Sequence, residues 1–159
     1  MTISTKLNRK KILKELDRYW SLLVRNRDRK CMLCGGFIEQ IDKLQAHHWI
    51  LSRAKSLKYR YDLRNGISLC YGCHIHQVHT NPTVDIINKL IVSAVQNRIV
   101  SQDEISEISS TGKEVSKIST VELFELLEKL KADYNNLPKS EAVRAEPLLS
   151  RVNKIIAND

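Results

Sequence analysis

The sequence predicts a mostly helical α+β fold stapled by a four-cysteine zinc, and three observations point there. Cys31-Met-Leu-Cys34 and Cys70-Tyr-Gly-Cys73 are two Cys-x2-Cys pairs at long separation. Two thiolates at that spacing sit on one tight knuckle, and two knuckles complete a tetrahedral shell. Apolar residues recur at helical spacing in several segments outside this stretch. Only five Gly, three Pro and a few aromatics in 159 residues argue against an all-β barrel or a low-complexity chain.

Taken in order, residues from about Lys6 to Val24 carry Leu7, Ile12, Leu13, Leu16, Trp20 and Leu23 with Lys and Arg between them, which predicts a basic amphipathic helix. Arg25–Lys30 lead into the first knuckle, where Gly35-Gly36 supplies the backbone freedom for a turn after Cys34. A short strand or hairpin through Phe37–Trp49 carries His47 and His48, and the basic stretch Leu51–Arg64 reads as a loop. Cys70–His79 begins as the second knuckle and continues as a short helix ended by Asn81-Pro82. Thr83 then caps a helix with Val84, Ile87, Leu90, Ile91, Ala94 and Val95 at helical spacing. Residues 1–100 form the core domain with its N-terminal helix, 101–118 a connector with weak or no regular structure, and 119–159 a helical extension. In that extension Ser119-Thr-Val-Glu122 is a capping box opening a helix with Val121, Phe124, Leu127, Leu130 and Tyr134 on one stripe. A last helix starts near Pro147 and buries Leu148, Val152, Ile155 and Ile156.

No run approaches the length of a membrane span, and the first residues lack the apolar segment of a signal peptide, so the cytoplasm is the expected compartment. Thiols stay reduced there, which favours a metal over the alternatives of a disulfide pair or buried free thiols. The net charge of +8 is unevenly spread: residues 1–64 hold 16 Lys/Arg against 6 Asp/Glu, residues 65–159 hold 10 against 12. That asymmetry beside a metal site suggests a polyanionic partner, a solvated basic face being the plainer account.

Zinc on Cys31, Cys34, Cys70 and Cys73 leaves no open coordination position, so it would hold the fold and take no part in chemistry. His47 and His48 are adjacent, and on a strand they point to opposite faces, so they are expected to have different roles. His74 follows the last cysteine directly.

The order Cys31-x2-Cys34, Ala46-His47-His48, Asn65-Gly66-Ile67-Ser68-Leu69-Cys70, Cys73-His74 resembles the HNH endonuclease family, whose ββα-metal core often carries a four-cysteine zinc. It is especially similar to small phage-type HNH proteins of the recombination-nuclease sort, over about residues 19–90. The resemblance implies a metal-dependent DNA endonuclease that hydrolyses phosphodiester bonds to leave a 5′-phosphate and a 3′-hydroxyl. It implies His48 as general base, His47 and His74 as metal ligands, and Asn65 as the residue that orients the base or its loop. A turn asparagine before Gly66 and a plain surface histidine at position 74 are the simpler alternatives. In the family the two helical histidines sit four apart, whereas His74 and His79 are five apart, which on an α-helix turns them about 140° from a shared face. His79 is therefore left between a third ligand and a phosphate contact. The implied cofactors are structural Zn²⁺ and a catalytic divalent metal, Mg²⁺ or Mn²⁺ by default, with Co²⁺, Ni²⁺ and Zn²⁺ also suited to imidazole. Arg53, Lys55, Lys58, Arg60 and Arg64 are expected to grip the phosphate backbone. His76 is expected to face away from the site, and Trp49 to belong to the core. The C-terminal helices are candidates for pairing two copies of the chain, and a zinc-knuckle nucleic-acid-binding module without catalysis is the competing reading.

Overall fold

The computed structural model describes residues 8–38, 40–111 and 117–138. The chain is a mostly helical α+β fold with one two-stranded antiparallel sheet. Helix α1 spans Arg9–Asp28, with the Asn8 side chain accepting from the Lys11 amide at its start. It runs four residues past the expected end because its last turn is bonded to the sheet. Asp28 accepts from the Ser68 amide at 2.7 Å, and Arg27 donates to the Leu63 and Gly66 carbonyls, both at 2.7 Å. Arg29 then turns the chain with φ +54° toward the first knuckle.

Strand β1 (Gln45–His48) pairs with β2 (Gly66–Leu69) without a bulge, His47 opposite Ile67 and His48 opposite Gly66. The sequence led to a short strand or hairpin within Phe37–Trp49; the short strand with both histidines is there, but no hairpin closes within that stretch, and its partner lies beyond the basic loop. That partner was hard to read because all four of its residues are buried, so it has no alternation of apolar and polar positions. Phe37 makes only an isolated bridge to Lys30. Between the strands lie the short helix α2 (Leu57–Arg60) and a turn of 3₁₀-helix at Leu63–Asn65.

A π-helix, Cys73–His79, follows the second knuckle, and α3 (Val84–Gln96) follows with Thr83 as its cap, as expected. Only Leu90 and Ala94 of α3 are buried, while Val84, Ile87 and Val95 of the predicted apolar stripe are exposed. The segment expected to be an irregular connector forms α4, Gln102–Thr111. Ser101 and Glu104 bond each other's amides at 3.2 and 2.8 Å, and Ile105 and Ile108 are buried. Helix α5 (Thr120–Asn135) has the predicted Ser119–Glu122 capping box. Its buried stripe is Leu123, Leu127, Leu130 and Tyr134, packed on α1 with Ile12, Leu16 and Trp20; Val121 and Phe124 face out. The helix expected near Pro147 lies outside the described residues. No helix among the described residues is long and apolar enough to cross a membrane.

Candidate functional site

The first knuckle closes as its glycine pattern requires: Gly35 has φ +72°, its amide bonds the Cys31 carbonyl at 2.9 Å, and the Cys31 amide bonds the Gly36 carbonyl at 3.0 Å. A φ in that region favours a residue without Cβ. The Met32 amide bonds the Ser68 carbonyl at 2.8 Å, fixing this knuckle to β2 just ahead of the second. The four Sγ atoms of Cys31, Cys34, Cys70 and Cys73 lie within 4.8 Å of one another. Burial pushes the Cys31 thiol up, but hydrogen bonds from the backbone of Cys34, Cys70 and Leu33 outweigh it and hold the thiol below its ordinary value. Cys73 is pushed up by burial and by the neighbouring thiols. Four sulfurs this close together suit zinc.

A second cluster brings together His47, His74 and His79, one nitrogen from each within 4.8 Å of the others. His47 Nδ1 and His79 Nε2 lie 3.1 and 3.0 Å from His74 Nε2. Neighbouring ligand atoms about 2.1 Å from one ion and at right angles to each other are separated by about 3 Å, so the set fits a single cation. The five-residue spacing that set His79 apart is reconciled by the π-helix. Its backbone bonds run from i to i+5, as in Thr80 N–H to the Ile75 carbonyl at 3.0 Å, so positions five apart return to nearly the same face. His74 Nδ1 donates to Gln45 Oε1, which leaves the Nε2 lone pair facing the other two rings. Gln45 was not picked out in the sequence, although it stands two residues before His47 on one strand face, and that alternation could have found it.

Burial lowers the His47 pKa to about 3, helped by the neighbouring His74, His79 and His48. His74 is lowered by burial and then by His79. Both rings are therefore neutral, the form that binds a metal, throughout the physiological range.

His48 turns to the other face of β1, as expected of adjacent strand residues, and does not join the cluster. Its ring stacks on Trp20 of α1, centroids 3.9 Å apart and planes 10° from parallel. Its Nε2 lies 2.8 Å from the Arg60 carbonyl. A carbonyl only accepts, so Nε2 carries the proton and Nδ1 is left as the free acceptor. Burial is the main cause that lowers the His48 pKa below its ordinary value; the Arg60 carbonyl opposes it. Gly66, directly across from His48, makes the stack possible: a Cβ there would come within 2.6 Å of Trp20 Cζ2 and 2.5 Å of Val24 Cγ2. No local signal distinguished Trp20 from the rest of the apolar stripe of α1.

Asn65 is buried and uses its whole amide on the loop between the strands. Its Oδ1 accepts from the Ile50 and Leu51 amides at 3.1 and 2.9 Å, and its Nδ2 donates to the Leu51 and Tyr59 carbonyls at 3.0 and 3.1 Å. The residue after Tyr59 is Arg60, the one that holds His48.

His47, His48, His74 and His79 line one open cleft of about 550 Å³, together with Asp17, Trp20 and Arg53. Of the five basic loop residues, Arg60 forks onto both oxygens of Asp17, and Arg64 pairs with Asp62 and Glu104. Arg53 is largely exposed and touches Asp17 at 2.6 Å, Lys58 lies over the Tyr59 ring, and Lys55 is exposed. His76 is exposed, edge-on to Tyr71, and Trp49 is half-buried, packed against the core while donating to the Arg64 carbonyl. Comparison of the chain with family models, curated proteins and solved structures found no match in any of the three.

Proposed function

We propose that this chain is a metal-dependent DNA endonuclease with an HNH-like ββα-metal core. The observation that carries the reading is the convergence, in one cleft, of three imidazole nitrogens able to share a cation with a fourth imidazole whose tautomer is fixed. His47 Nδ1, His74 Nε2 and His79 Nε2 would hold a divalent ion, whose chemistry when bound is to neutralise charge developing on the phosphate and the leaving oxygen. Three imidazoles with no carboxylate shift the preference away from Mg²⁺ and Mn²⁺ toward Zn²⁺, Ni²⁺ or Co²⁺.

His48 takes the proton of the attacking water at Nδ1. The Nε2 proton stays in its bond to the Arg60 carbonyl, which steadies the ring and favours the imidazolium that results. The Trp20 face holds the ring plane, and Asn65 holds the loop from which that carbonyl projects. The four-cysteine site would carry zinc and only hold the two knuckles together.

A zinc-knuckle binding module without catalysis has no need of an imidazole cluster beside its four cysteines, which is why it ranks second. Nicking of supercoiled plasmid with Mg²⁺, Mn²⁺, Co²⁺, Ni²⁺ or Zn²⁺ tests the proposal. Wild-type protein should nick with at least one ion, and His48→Ala should lose about 10²–10⁴-fold in rate while still binding DNA. Full cleavage by His48→Ala removes the base assignment, and no nicking by the wild type with any ion leaves the binding module.

A further inference from the structure

Part of the basic character of the N-terminal half lies along one face of α1. Lys10, Lys14, Asp17 and Ser21 stand at spacings of four, three and four, the repeat that keeps helical residues on one side. Lys10 and Lys14, with Lys11, line an open groove of about 580 Å³ that also reaches Asp17 and Arg53. Asp17 and Arg53 line the histidine cleft as well, and Ser21 lies on its wall, so the two hollows lie side by side along this helix face.

Charge in the groove is one-sided. Its two carboxylates are already engaged, Glu15 by Arg18 and Asp17 by Arg60 and Arg53. Lys10, Lys11 and Lys14 are exposed, and among the described residues no carboxylate pairs with them. Arg53 shares an Asp17 whose charge the Arg60 fork already meets, and its side chain is 62% exposed, so it is free to turn to another anion. From Lys10 to Ser21 the face runs about 16 Å at 1.5 Å per residue, the rise of about five base pairs along the axis of a duplex.

Building on the endonuclease reading, we propose that the Lys10–Lys14–Asp17–Ser21 face of α1, with Lys11 and Arg53, is the track that seats a DNA phosphodiester backbone beside the histidine cleft. The lysines bind phosphates without reading bases, so the track adds affinity and sets direction while leaving sequence unread. Arg53 is the basic member that also lines the histidine cleft, and it moves from Asp17 to a phosphate when the strand enters.

The test is fluorescence anisotropy of a labelled 20-base-pair duplex and of its single strand with the full chain, over a series of KCl concentrations, with neither added divalent metal nor chelator. The triple variant Lys10→Gln/Lys11→Gln/Lys14→Gln keeps residues that favour helix, and circular dichroism verifies its fold. A control with equal charge loss on α3 and α5 is Lys89→Gln/Lys129→Gln/Lys131→Gln. The α1 variant should bind about tenfold or more weakly, with a slope of log K against log salt shallower by about 2 to 3, and the control should behave as wild type. If wild-type protein binds DNA but the α1 variant keeps its affinity and slope, or the control loses as much, the track is overturned and the endonuclease reading stands. If wild-type protein binds neither probe, both are overturned.

Discussion

A carbonyl oxygen 2.8 Å from His48 Nε2 fixes which nitrogen of that ring can act, because the carbonyl can only accept and so assigns the proton to Nε2. The pH profile follows in sign. A base must be neutral to work, and burial lowers the His48 pKa from its ordinary value of about 6.5, so nicking should stay on its plateau through pH 6.5 and fall only at more acid pH. Rates measured from pH 5 to 8 with constant ion occupancy check this; an acid limb centred above pH 6.5 contradicts the buried base. Gln45 carries a separate expectation. It fixes the tautomer of His74 without touching the cluster nitrogens, so Gln45→Ala should weaken cobalt or nickel binding at the three-histidine site by about 10–100-fold. Calorimetric titration would show this, with the zinc content of the cysteine site unchanged. The cysteines and His47, His48 and His74 were legible as a set because their residue types and spacing are unusual. Trp20 and Gln45 were not, because a tryptophan in an apolar stripe and a glutamine on a short strand are common and gain meaning only from what they face.

Among the elements, the π-helix does the most to shape the site. Read as an α-helix, Cys73–His79 turns His79 away from His74; with bonds reaching five residues back, the same spacing brings the two rings together. Spacing alone could not reveal this, since the choice between the two helices depends on how the segment is tied to the second knuckle at one end and Thr80 at the other. The α1–β2 contact is as consequential. Gly66→Ala would drive a methyl group into Trp20 and Val24, so it should destabilise the protein by about 2 kcal/mol in chemical denaturation and slow nicking by displacing the surface on which His48 rests. Unchanged stability and rate would show that the stack is not needed. Helix α4 was missed for a different reason. Its Ser101–Glu104 box was present in the sequence, but only two isoleucines are buried, too few for a clear stripe. What holds it is tertiary: Ile108 in a cluster with Leu51 and Tyr59, the Tyr59 hydroxyl on Thr111 at 2.8 Å, and Glu104 on Arg64 at 2.9 Å.

In the whole molecule, two clusters able to hold an ion are joined through one short segment, since Cys73 and His74 are neighbours in the chain and belong to different clusters. Loss of the first should therefore disturb the second. Cys70→Ser should remove about one equivalent of zinc, lower the melting temperature by about 10 °C or more, and loosen metal binding at the histidines. A zinc-free variant that melts as wild type would dispose of the staple. Acid should act in the same direction on the metal-free histidine cluster. The pKa values of His47 and His74 are depressed in the fold, so their contribution to stability is full above pH 6.5 and is lost as the pH falls below it, because the unfolded chain takes up protons first. The sequence by itself determined the two knuckles, the helical character of the flanks, the caps at Thr83 and Ser119, and the basic bias of the first half, because each is a matter of residue type at short, fixed spacing. Tertiary structure alone decided the strand that pairs with the histidines, the ring that His48 rests on, the turn that returns His79 to the site, and which basic side chains remain free of carboxylates. Those depend on groups distant in the chain meeting in space, and no local pattern of residues encodes such a meeting.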